Sequence, residues 1–437
     1  MIQMNVLGRP RRVFYGWVVV AAGAANQALI SGLGSHGFGT FIVPLEAQFG
    51  WSKATLSVAR AFVQIENGLL GPLEGIVVDR FGPRVTMGVG LFFFGLGMVF
   101  LGMIQSLWAY YLSFVVIAFG ASIGGHLVTT TVINNWFRRK RTLAMSLALT
   151  GVGLGGVIVV PILVWVHGAF GWREAAIGGG ITVWIAAIPI VVAMRRAPEQ
   201  YGALPDGDDP DRVREEEAAR TRPRGGGDID FTLGEAMRTS AFWFLGLSHG
   251  MALLPPVAVG VHQFAHMEQG VGLAAAAAAL VVTVMSAFVI VGRLIGGVLG
   301  DRWDKRYVYV IGVAGAATGL AIFALATVLW QAMLYAVLFG LSWGMRGPTI
   351  NSMRGEYFGR TSFGKIAGTS NLILMAFAIS GPIFAGLMAD MLGNYKLAFL
   401  ILAGMSVFGI LTVLSIRPPP LPPRLAKQAG QQRISSS

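Results

Sequence analysis

Arg293 and Arg346 each interrupt a long apolar stretch of the chain, and isolated arginines in such positions indicate a binding site for an anion. A guanidinium group keeps its positive charge and presents its N–H groups as a planar fork that matches the two oxygens of a carboxylate. One arginine suits a monocarboxylate, and two suit a dicarboxylate. The alternative for Arg293 is a structural ion pair, and for Arg346 a gate or a structural pair. Gly347-Pro348, directly after Arg346, predicts a local break in its helix.

A carboxyl group occupies a similar position in the first half of the chain. Glu66 lies thirteen residues before Asp79, which corresponds to about 20 Å along a helix that rises about 1.5 Å per residue. Burial disfavours the charged form of a carboxyl group, so Glu66 is a candidate carrier of a coupling proton. The alternative is an ion pair with Arg60 or Arg346.

Three neutral polar side chains complete the candidate substrate ligands: His126, His262 and Asn371. Histidine titrates near neutral pH, and both of its ring nitrogens form hydrogen bonds. The amide of Asn371 can both donate and accept hydrogen bonds. The alternative for each histidine is that it is packed and hydrogen-bonded inside the protein without a role in binding.

The elements that carry these residues must cross a membrane. Of the 437 residues, 54% are hydrophobic and only 12% are charged, whereas a soluble domain carries about a quarter charged residues. Cysteine is absent, which excludes disulfides and thiolate metal sites, and we expect no metal and no cofactor. The first apolar run, at about 13–34, is too long for a cleavable signal peptide.

Apolar stretches of about 20 residues, the length that crosses the hydrocarbon core as a helix, predict an all-α membrane protein with twelve spans. Their approximate bounds are 14–40, 54–78, 84–104, 107–135, 141–169, 173–194, 241–266, 272–299, 307–328, 330–356, 364–390 and 395–416. The polar segment between the sixth and seventh spans is rich in Pro, Gly and Glu and predicts a solvated linker. The predicted organisation is a six-helix bundle at 1–194, a cytoplasmic linker at 195–240, a second six-helix bundle at 241–417 and a cytoplasmic tail at 418–437.

Basic residues are distributed unevenly between the two sides of this arrangement. With both termini and the even-to-odd loops on one side, 27 of the 33 lysines and arginines lie on that side and four on the other, and only Arg293 and Arg346 lie inside spans. Basic residues favour the cytoplasmic side, so we predict a cell inner membrane protein with cytoplasmic termini. This distribution accounts for the net charge of +12 without nucleic acid as a partner.

A charged signature follows the second span and recurs in the second half. It reads G-x-x-x-D-R-x-G-x-R and contains Asp79, Arg80 and Arg84, and 222 positions later Asp301 and Arg302 repeat it in part. We expect these residues to form a gate, because carboxylates at helix ends can cap a neighbouring helix and pair with its arginines. The alternative is a plain anchor on the basic side of the membrane.

A second landmark repeats with nearly the same spacing. Trp136-Phe137-Arg138-Arg139 recurs as Tyr357-Phe358-Gly359-Arg360, offset by 221 positions. Two landmarks with one spacing predict two halves built on one plan. In a membrane chain, two related halves are typical of a secondary transporter.

Twelve spans, a 6+6 repeat and the signature resemble the major facilitator superfamily, in particular its monocarboxylate transporter and bacterial oxalate–formate antiporter branch. Tyr15-Gly16-Trp17 opens the first span as in that branch, and Arg293 looks like its substrate arginine. The resemblance implies transport of small organic anions by alternating access, with proton symport or anion exchange.

Two further positions bear on this resemblance. The linker segment Pro205-Asp206-Gly207 is similar to that of bacterial oxalate–formate antiporter-like members. Monocarboxylate transporters place an aspartate one turn before the arginine of span eight, where this chain has Val289.

The sequence therefore predicts a secondary transporter of small organic anions, and not an enzyme, that works as a monomer in the lipid bilayer, with protons as a further partner in the case of symport. One alternative is efflux of drugs or hydrophobic solutes, which predicts an acidic cavity. Another is a non-transporting membrane sensor, which is expected to add a signalling domain. Gly359–Lys365 resembles a phosphate loop, but Ile366 replaces the final Ser or Thr and no strand is predicted before it, which argues against an ATP-driven pump.

Overall fold

The structure is a computed structural model that describes residues 2–6, 9–51, 53–208, 230–420, 422 and 424, and these residues are almost entirely helical. The helices before the linker are α1 (Gly16–Ile30), α2 (Phe38–Phe49), α3 (Lys53–Phe81), α4 (Pro83–Met103), α5 (Leu107–Gly124), α6 (His126–Trp136), α7 (Arg141–Leu154), α8 (Val160–Phe170) and α9 (Trp172–Ala193). Those after it are α10 (Leu233–Met237), α11 (Ser240–Ala265), α12 (Ala275–Arg302), α13 (Lys305–Ala324), α14 (Leu329–Phe358), α15 (Phe363–Leu392) and α16 (Lys396–Leu414).

Shorter elements extend or precede these helices. Turns of π-helix lie at Ser31–His36, Gly155–Val159 and His266–Gly270, and turns of 3-10 helix at Pro198–Tyr201 and Pro205–Gly207. An antiparallel hairpin of β1 (Ile2–Val6) and β2 (Arg9–Val13), with Ile2 opposite Val13, precedes α1. The middle of the predicted linker, 209–229, and the tail beyond 424 lie outside the described residues.

The predicted spans coincide with helices, and α2 extends the first of them beyond its predicted end. Ten helical segments of the described residues are long and apolar enough to cross a membrane. The two predicted spans outside this group, α3 and α14, are 29 and 30 residues long, which exceeds the roughly 20 residues that a crossing needs. Their charged residues, among them Glu66 and Arg346, lower their mean hydropathy.

Several helix ends follow directly from the residues that occupy them. Gly82 has a φ of +82° and Pro83 begins α4, so the chain turns sharply after α3, where glycine tolerates the positive φ and proline fits the first helical position. The side chains of Ser106, Thr239 and Asp304 accept a backbone N–H at the start of α5, α11 and α13, which satisfies donors that have no partner within the helix.

The fourth span is broken and the tenth is continuous, which is the reverse of what the proline positions predict. α5 ends at Gly124 and α6 begins at His126, because Gly125 leaves the helical region with φ −94° and ψ −125°. A Cβ at residue 125 would lie 2.2 Å from the carbonyl O of Ala121, so this break needs a glycine. The break predicted at Gly347-Pro348 is wrong, because Pro348 lies inside α14. Proline lacks a backbone N–H, so one backbone hydrogen bond of the helix is missing there, but the helix continues on both sides.

Three groups of buried apolar side chains form the cores of the described residues, and the third, which contains Phe242, Tyr309 and Phe358, lies where α11, α13 and α14 meet. The first lies among α1–α9 and contains Trp136, Phe94 and Tyr110. The second lies among α11–α16, where the rings of Phe323 and Tyr335 stack with their centroids 4.1 Å apart. Phe363, at the start of α15, packs into the first core. The two parts of the chain are therefore in contact where α15 begins.

The two parts meet along α3 with α15 and along α7 with α12. A Cβ at Gly75 would lie 2.2 Å from the carbonyl O of Gly364, so glycine allows the close approach of α3 and α15 at this position. A Cβ at Gly297 would similarly lie 2.6 Å from the hydroxyl of Ser146. These contacts lie towards the end of the molecule that carries Asp79 and Asp301, which we call the linker end.

Candidate functional site

Asp79 and Asp301 each cap a helix of the other part of the chain at the linker end. The Asp79 carboxylate accepts a hydrogen bond from the backbone N–H of Lys365 in the first turn of α15, at 3.1 Å. The Asp301 carboxylate accepts the backbone N–H groups of Thr142 and Leu143 at the start of α7, at 2.8 and 3.0 Å. A carboxylate at a helix N-terminus satisfies free N–H groups and interacts favourably with the helix dipole. The contacts agree with the capping that the signature predicts, and the gating role stays a prediction.

Asp206 in the linker holds the loop between α6 and α7. Its carboxylate accepts the backbone N–H groups of Arg138, Arg139 and Lys140 at 2.9, 2.8 and 3.1 Å. This loop follows the first copy of the Trp-Phe-Arg-Arg landmark. The sequence marked Asp206 only as part of a family resemblance, because nothing in its neighbours indicates which loop it reaches.

Asp230 holds the corresponding loop of the second half, between α14 and α15. Its carboxylate accepts the N–H groups of Arg360 and Thr361 at 2.7 and 3.0 Å and the Thr361 hydroxyl at 2.6 Å. Burial alone would raise the pKa of Asp230, but these hydrogen bonds and the charge of Arg360 outweigh burial, so its pKa lies below its ordinary value. Asp230 therefore stays ionised and remains an acceptor at neutral pH.

Direct contacts between the two parts close the linker end. The Asn134 amide donates to the carbonyl O of Gly359 at 3.1 Å, and Arg360 donates to the carbonyl O of Asn135 at 2.8 Å. Arg360 also forms an ion pair with Glu199 of the linker at 2.9 Å. Helix ends, loops and linker are thus joined across the boundary between the halves.

The three signature arginines make different contacts from the two aspartates. Arg84 donates to the carbonyl O of Met194 at 3.1 Å, just after α9 of its own half. Arg80 and Arg302 are exposed. Within the described part of the chain, none of the three bonds to a residue of the opposite half, so their predicted gating role stays a prediction with less structural support.

Arg293 lies on α12 at the contact with α7. Its Nη1 donates to the carbonyl O of Leu149 at 2.6 Å, and the side chain is half-buried. No carboxylate among the described residues pairs with it. A guanidinium has five N–H donors, so Arg293 retains several donors for an anion.

Arg346 is more deeply buried, with 4% of its surface exposed. Its Nη1 donates to the carbonyl O of Ala252 on α11, and its guanidinium carbon lies 4.0 Å from the ring centre of Trp343. The buried Nε has no acceptor among the described residues. The charge of Arg346 is thus offset by a ring face and one carbonyl group, and it has no described carboxylate partner.

Arg354 corrects the count of arginines within spans. The sequence tally placed it with the loop after the tenth span, but it lies inside α14 and is 3% exposed. Its Nη1 donates to Oδ1 of Asn351, and its Nη2 lies 3.1 Å from Nδ1 of His249. The helix continues beyond Arg354 to Tyr357 and Phe358. Arg354 lies near the predicted end of the span, where the sequence suggests exposure, but α11 packs against it and buries it.

His126 begins α6 directly after the break in the fourth span. Its side chain is exposed, and it lies within electrostatic range of Arg293 and Arg354 on the opposite part of the chain. An exposed side chain so close to both arginines faces the space between the halves and not the lipid. The N-terminus of α6 points its positive dipole end to the same region.

The acidic groups of α3 lie apart from the arginines. Glu66 is half-buried, lies within electrostatic range of Glu74 and forms no ion pair with Arg346. Glu74 is buried and accepts a hydrogen bond from the hydroxyl of Ser122. The alternative partner of Glu66, the side chain of Arg60, lies outside the described residues.

The two remaining predicted ligands lie in helix contacts. Asn371 is half-buried where α15 meets α3, and a Cβ at Gly71 would lie 3.0 Å from its Cβ. Nε2 of His262 lies 3.0 Å from the carbonyl O of Pro382, and its ring packs on Tyr395 at 5.1 Å. No described contact joins either residue to the arginines.

The central site is therefore a group of basic side chains, which we call the arginine cluster: Arg293, Arg346, Arg354, His126 and His249. His249 lies within electrostatic range of Arg354, Arg346 and His126. Arg293, Arg346 and His126 are predicted from sequence as substrate ligands. His249 is the weaker of two sequence candidates on its span, beside His262, and Arg354 is added by the structure. Several N–H donors around a partly exposed space without a paired carboxylate can bind a small anion.

Comparison with known proteins agrees with this geometry. The sequence profile of the Major Facilitator Superfamily matches residues 25–279 and 263–436. Monocarboxylate transporter 13 of Bos taurus is 26% identical over 401 residues, which cover 90% of this chain and 88% of that protein. The oxalate:formate antiporter of Oxalobacter formigenes is 27% identical over 352 residues, which cover 78% of each chain.

The fold is also shared with solved structures. The E. coli fucose:proton symporter superposes with a TM-score of 0.69 at 14% identity, covering 92% of this chain and 99% of that one. With the profile spanning nearly the whole chain and the helices in the matching arrangement, this multi-pass membrane protein belongs to the Major Facilitator Superfamily.

Proposed function

We propose that the protein is a secondary transporter of small organic anions of the monocarboxylate type. The observation that carries this proposal is Arg293, a guanidinium at the boundary between the halves that no described carboxylate neutralises. An unpaired guanidinium inside a membrane protein is costly, and a carboxylate substrate would supply the missing charge. The names of the two curated relatives, a monocarboxylate transporter and an oxalate:formate antiporter, favour the same class of substrate.

We further propose that Arg346 and His126 bind the substrate together with Arg293, because they lie in the same cluster. Asn371 and His262 belong to the proposed site only if the helices that hold them shift during transport. Glu66 is the proposed carrier of a coupling proton for symport, and exchange of one anion for another is the alternative mode.

The transport cycle we propose is alternating access by two six-helix bundles, 1–194 and 241–417, joined by the linker at 195–240 and followed by the tail at 418–437. Asp79 and Asp301 hold the bundles together at the linker end, so we assign this conformation to the state of the cycle that is closed at the linker end. Breaking the two caps would open the linker end. We place the linker end and both termini in the cytoplasm of a cell with the protein in its inner membrane, as a monomer.

Efflux of drugs or hydrophobic cations is less well supported. Such a transporter would be expected to line its cavity with carboxylates, and the described central side chains are basic. Drug-dependent quenching in inverted vesicles would support efflux if it were found.

The test is uptake into proteoliposomes of labelled lactate, pyruvate, formate and oxalate, with and without a pH gradient. We expect uptake of at least one of these anions, and we expect lactamide, which has the shape of lactate without its charge, not to compete. Liposomes without protein are the control. No uptake of any of the four, or equal competition by lactamide, would contradict the proposal.

A further inference from the structure

His249 and Arg354 form a hydrogen bond that joins two basic side chains on different helices. Nη2 of Arg354 lies 3.1 Å from Nδ1 of His249, between α14 and α11. Arg354 is 3% exposed and His249 is half-buried. A contact of this kind has only one possible arrangement of protons.

The guanidinium group has N–H donors and no acceptor. Nδ1 of His249 must therefore present its lone pair to Arg354, and the imidazole is neutral with its proton on Nε2. A protonated imidazole has a donor on each nitrogen. It cannot keep this hydrogen bond, and it would place two positive charges side by side.

The groups that face His249 are positive or neutral on each element packed around it. Arg354 and Arg346 approach from α14 and His126 from α6. Tyr309 on α13 donates its hydroxyl to the carbonyl O of Ser248, at 3.2 Å. The neighbouring turns of α15 and α16 present apolar side chains and a glycine to α11, and no described carboxylate pairs with these groups.

Two buried donors in the same region lack an acceptor. Nε of Arg346 and Nε of Arg354 form no hydrogen bond with the described residues, and the two side chains are 4% and 3% exposed. Leaving a buried donor unsatisfied is unfavourable. Carboxylate oxygens would satisfy both and would add the negative charge that the cluster lacks.

We propose that His249 and Arg354 form a coupling site that takes up a carboxylate and a proton together. The carboxylate accepts the N–H group that Arg354 now donates to His249, and Nδ1 of His249 takes up a hydrogen ion from the aqueous solution on the side to which the site is open. The imidazolium then donates to the same carboxylate, so anion and proton enter as a neutral pair and no covalent bond of the substrate changes. Such a site has a role only if the protein carries an anion, so it rests on the proposed function. It specifies proton symport, with His249 instead of Glu66 as the proton carrier.

The variant His249→Gln separates the proton from the anion, because the glutamine carbonyl preserves an acceptor for Arg354 and cannot be protonated at neutral pH. In proteoliposomes that contain a pH-sensitive dye, we expect exchange of labelled for unlabelled anion at equal pH to be weakened but measurable in this variant, because the arginines still bind the carboxylate, and we expect fewer protons to enter with each anion. We expect the factor by which an inward proton gradient increases anion uptake to fall about tenfold in this variant. A change of this size lies within the usual range for coupled binding sites.

His167→Gln is the matched control. His167 is half-buried on α8, where its ring packs on Phe41 with centroids 4.6 Å apart, and it takes no part in the arginine cluster. We expect this variant to show the stimulation of the wild type.

Wild-type stimulation in His249→Gln, or anion uptake by the wild type without accompanying protons, would overturn the coupling site and leave anion transport standing. Absence of uptake by the wild type would overturn both proposals. Should His249→Gln not fold, proton uptake during anion binding to the wild-type protein in weakly buffered solution decides the same question. Protons are expected to disappear from solution as the anion binds, and an unchanged pH would overturn the site.

Discussion

The linker end and the arginine cluster share helices α6 and α12 but relate to the internal repeat in opposite ways. At the linker end, corresponding residues make corresponding contacts: Asp79 caps α15 and Asp301 caps α7. Asp206 and Asp230 likewise hold the two loops that carry the second repeated landmark. Contacts of this symmetry suit a motion in which the two halves move equally about a common boundary.

The arginine cluster lacks this symmetry. A shift of 222 positions places Gly71 opposite Arg293, and a shift of 221 places Gly125 opposite Arg346. The first of these glycines allows close packing against α15, and the second breaks the fourth span. The repeated residues thus serve the motion of the fold, whereas the residues that differ between halves lie where a ligand would bind.

The acidic groups of α3 are likewise absent from the corresponding positions of the other half. Glu66 and Glu74 correspond to Phe288 and Gly296 on α12. The first half therefore places carboxyl groups in its second span, while the second half places arginines in its eighth and tenth. Such a division of charge lets a substrate anion interact mainly with the second half.

The largest effect is expected from removing the charge that breaks the symmetry. Arg293→Gln should lower anion uptake at low substrate concentration about 100-fold, because hydrogen bonds to a charged group contribute up to about 3 kcal/mol. Uptake of the labelled anion in proteoliposomes, normalised to folded protein by size-exclusion chromatography, measures this. Arg238→Gln, the same substitution at an exposed position in the linker, should leave uptake unchanged. Equal losses in both variants would mean that the cluster has no special role.

A smaller and symmetric effect is expected from the two caps. Asp79→Asn and Asp301→Asn should each destabilise the closed linker end by about 1 kcal/mol, the usual contribution of a helix cap, which is about fivefold in the opening equilibrium. We expect the maximal rate of transport to change by a similar factor in both variants, with little change in the concentration that half-saturates transport.

The absence of cysteine allows a direct measurement of this opening, because a single cysteine introduced between the halves is the only thiol that a reagent can label. Faster labelling from the linker side in both Asn variants supports a symmetric gate. A change in one variant alone would show that the repeat persists in sequence without persisting in function.

The sequence predicts the parts of this structure that depend on composition along one helix. Apolar length locates the spans, and the spacing of two landmarks locates the repeat, because both are properties of neighbouring residues.

Contacts between distant segments are less accessible from the sequence. Arg354 lies four residues before the end of α14, and only packing against α11 shows that it is buried. The break at Gly125 depends on tertiary contacts, since most other glycines and prolines of the spans, Pro348 among them, lie within helices. Asp206 and Asp230 pair with loops that the chain brings to them only after both halves have folded.

The smallest effect on transport is expected from the linker, where the change is one of stability and depends on pH. Asp230 has a pKa below its ordinary value, so its contacts with Arg360 and Thr361 stabilise the folded protein at every pH above the ordinary value of about 3.9. The stabilisation is lost as the pH falls through the lowered pKa of the folded state. Asp230→Asn should therefore be less stable than the wild type by about 1 kcal/mol near neutral pH, and thermal unfolding in detergent should show the difference disappearing at acid pH.

Asp206→Asn is the matched comparison in the first half, where the carboxylate accepts three backbone N–H groups. Asp206 has a φ of +61°, and asparagine tolerates this conformation as well as aspartate does, so the substitution tests the carboxylate and not the backbone. Equal destabilisation by the two variants would extend the symmetry of the linker end to the linker itself. If only Asp230→Asn lowers stability, the linker is fastened to the second half alone, and the first half is free to move relative to it during transport.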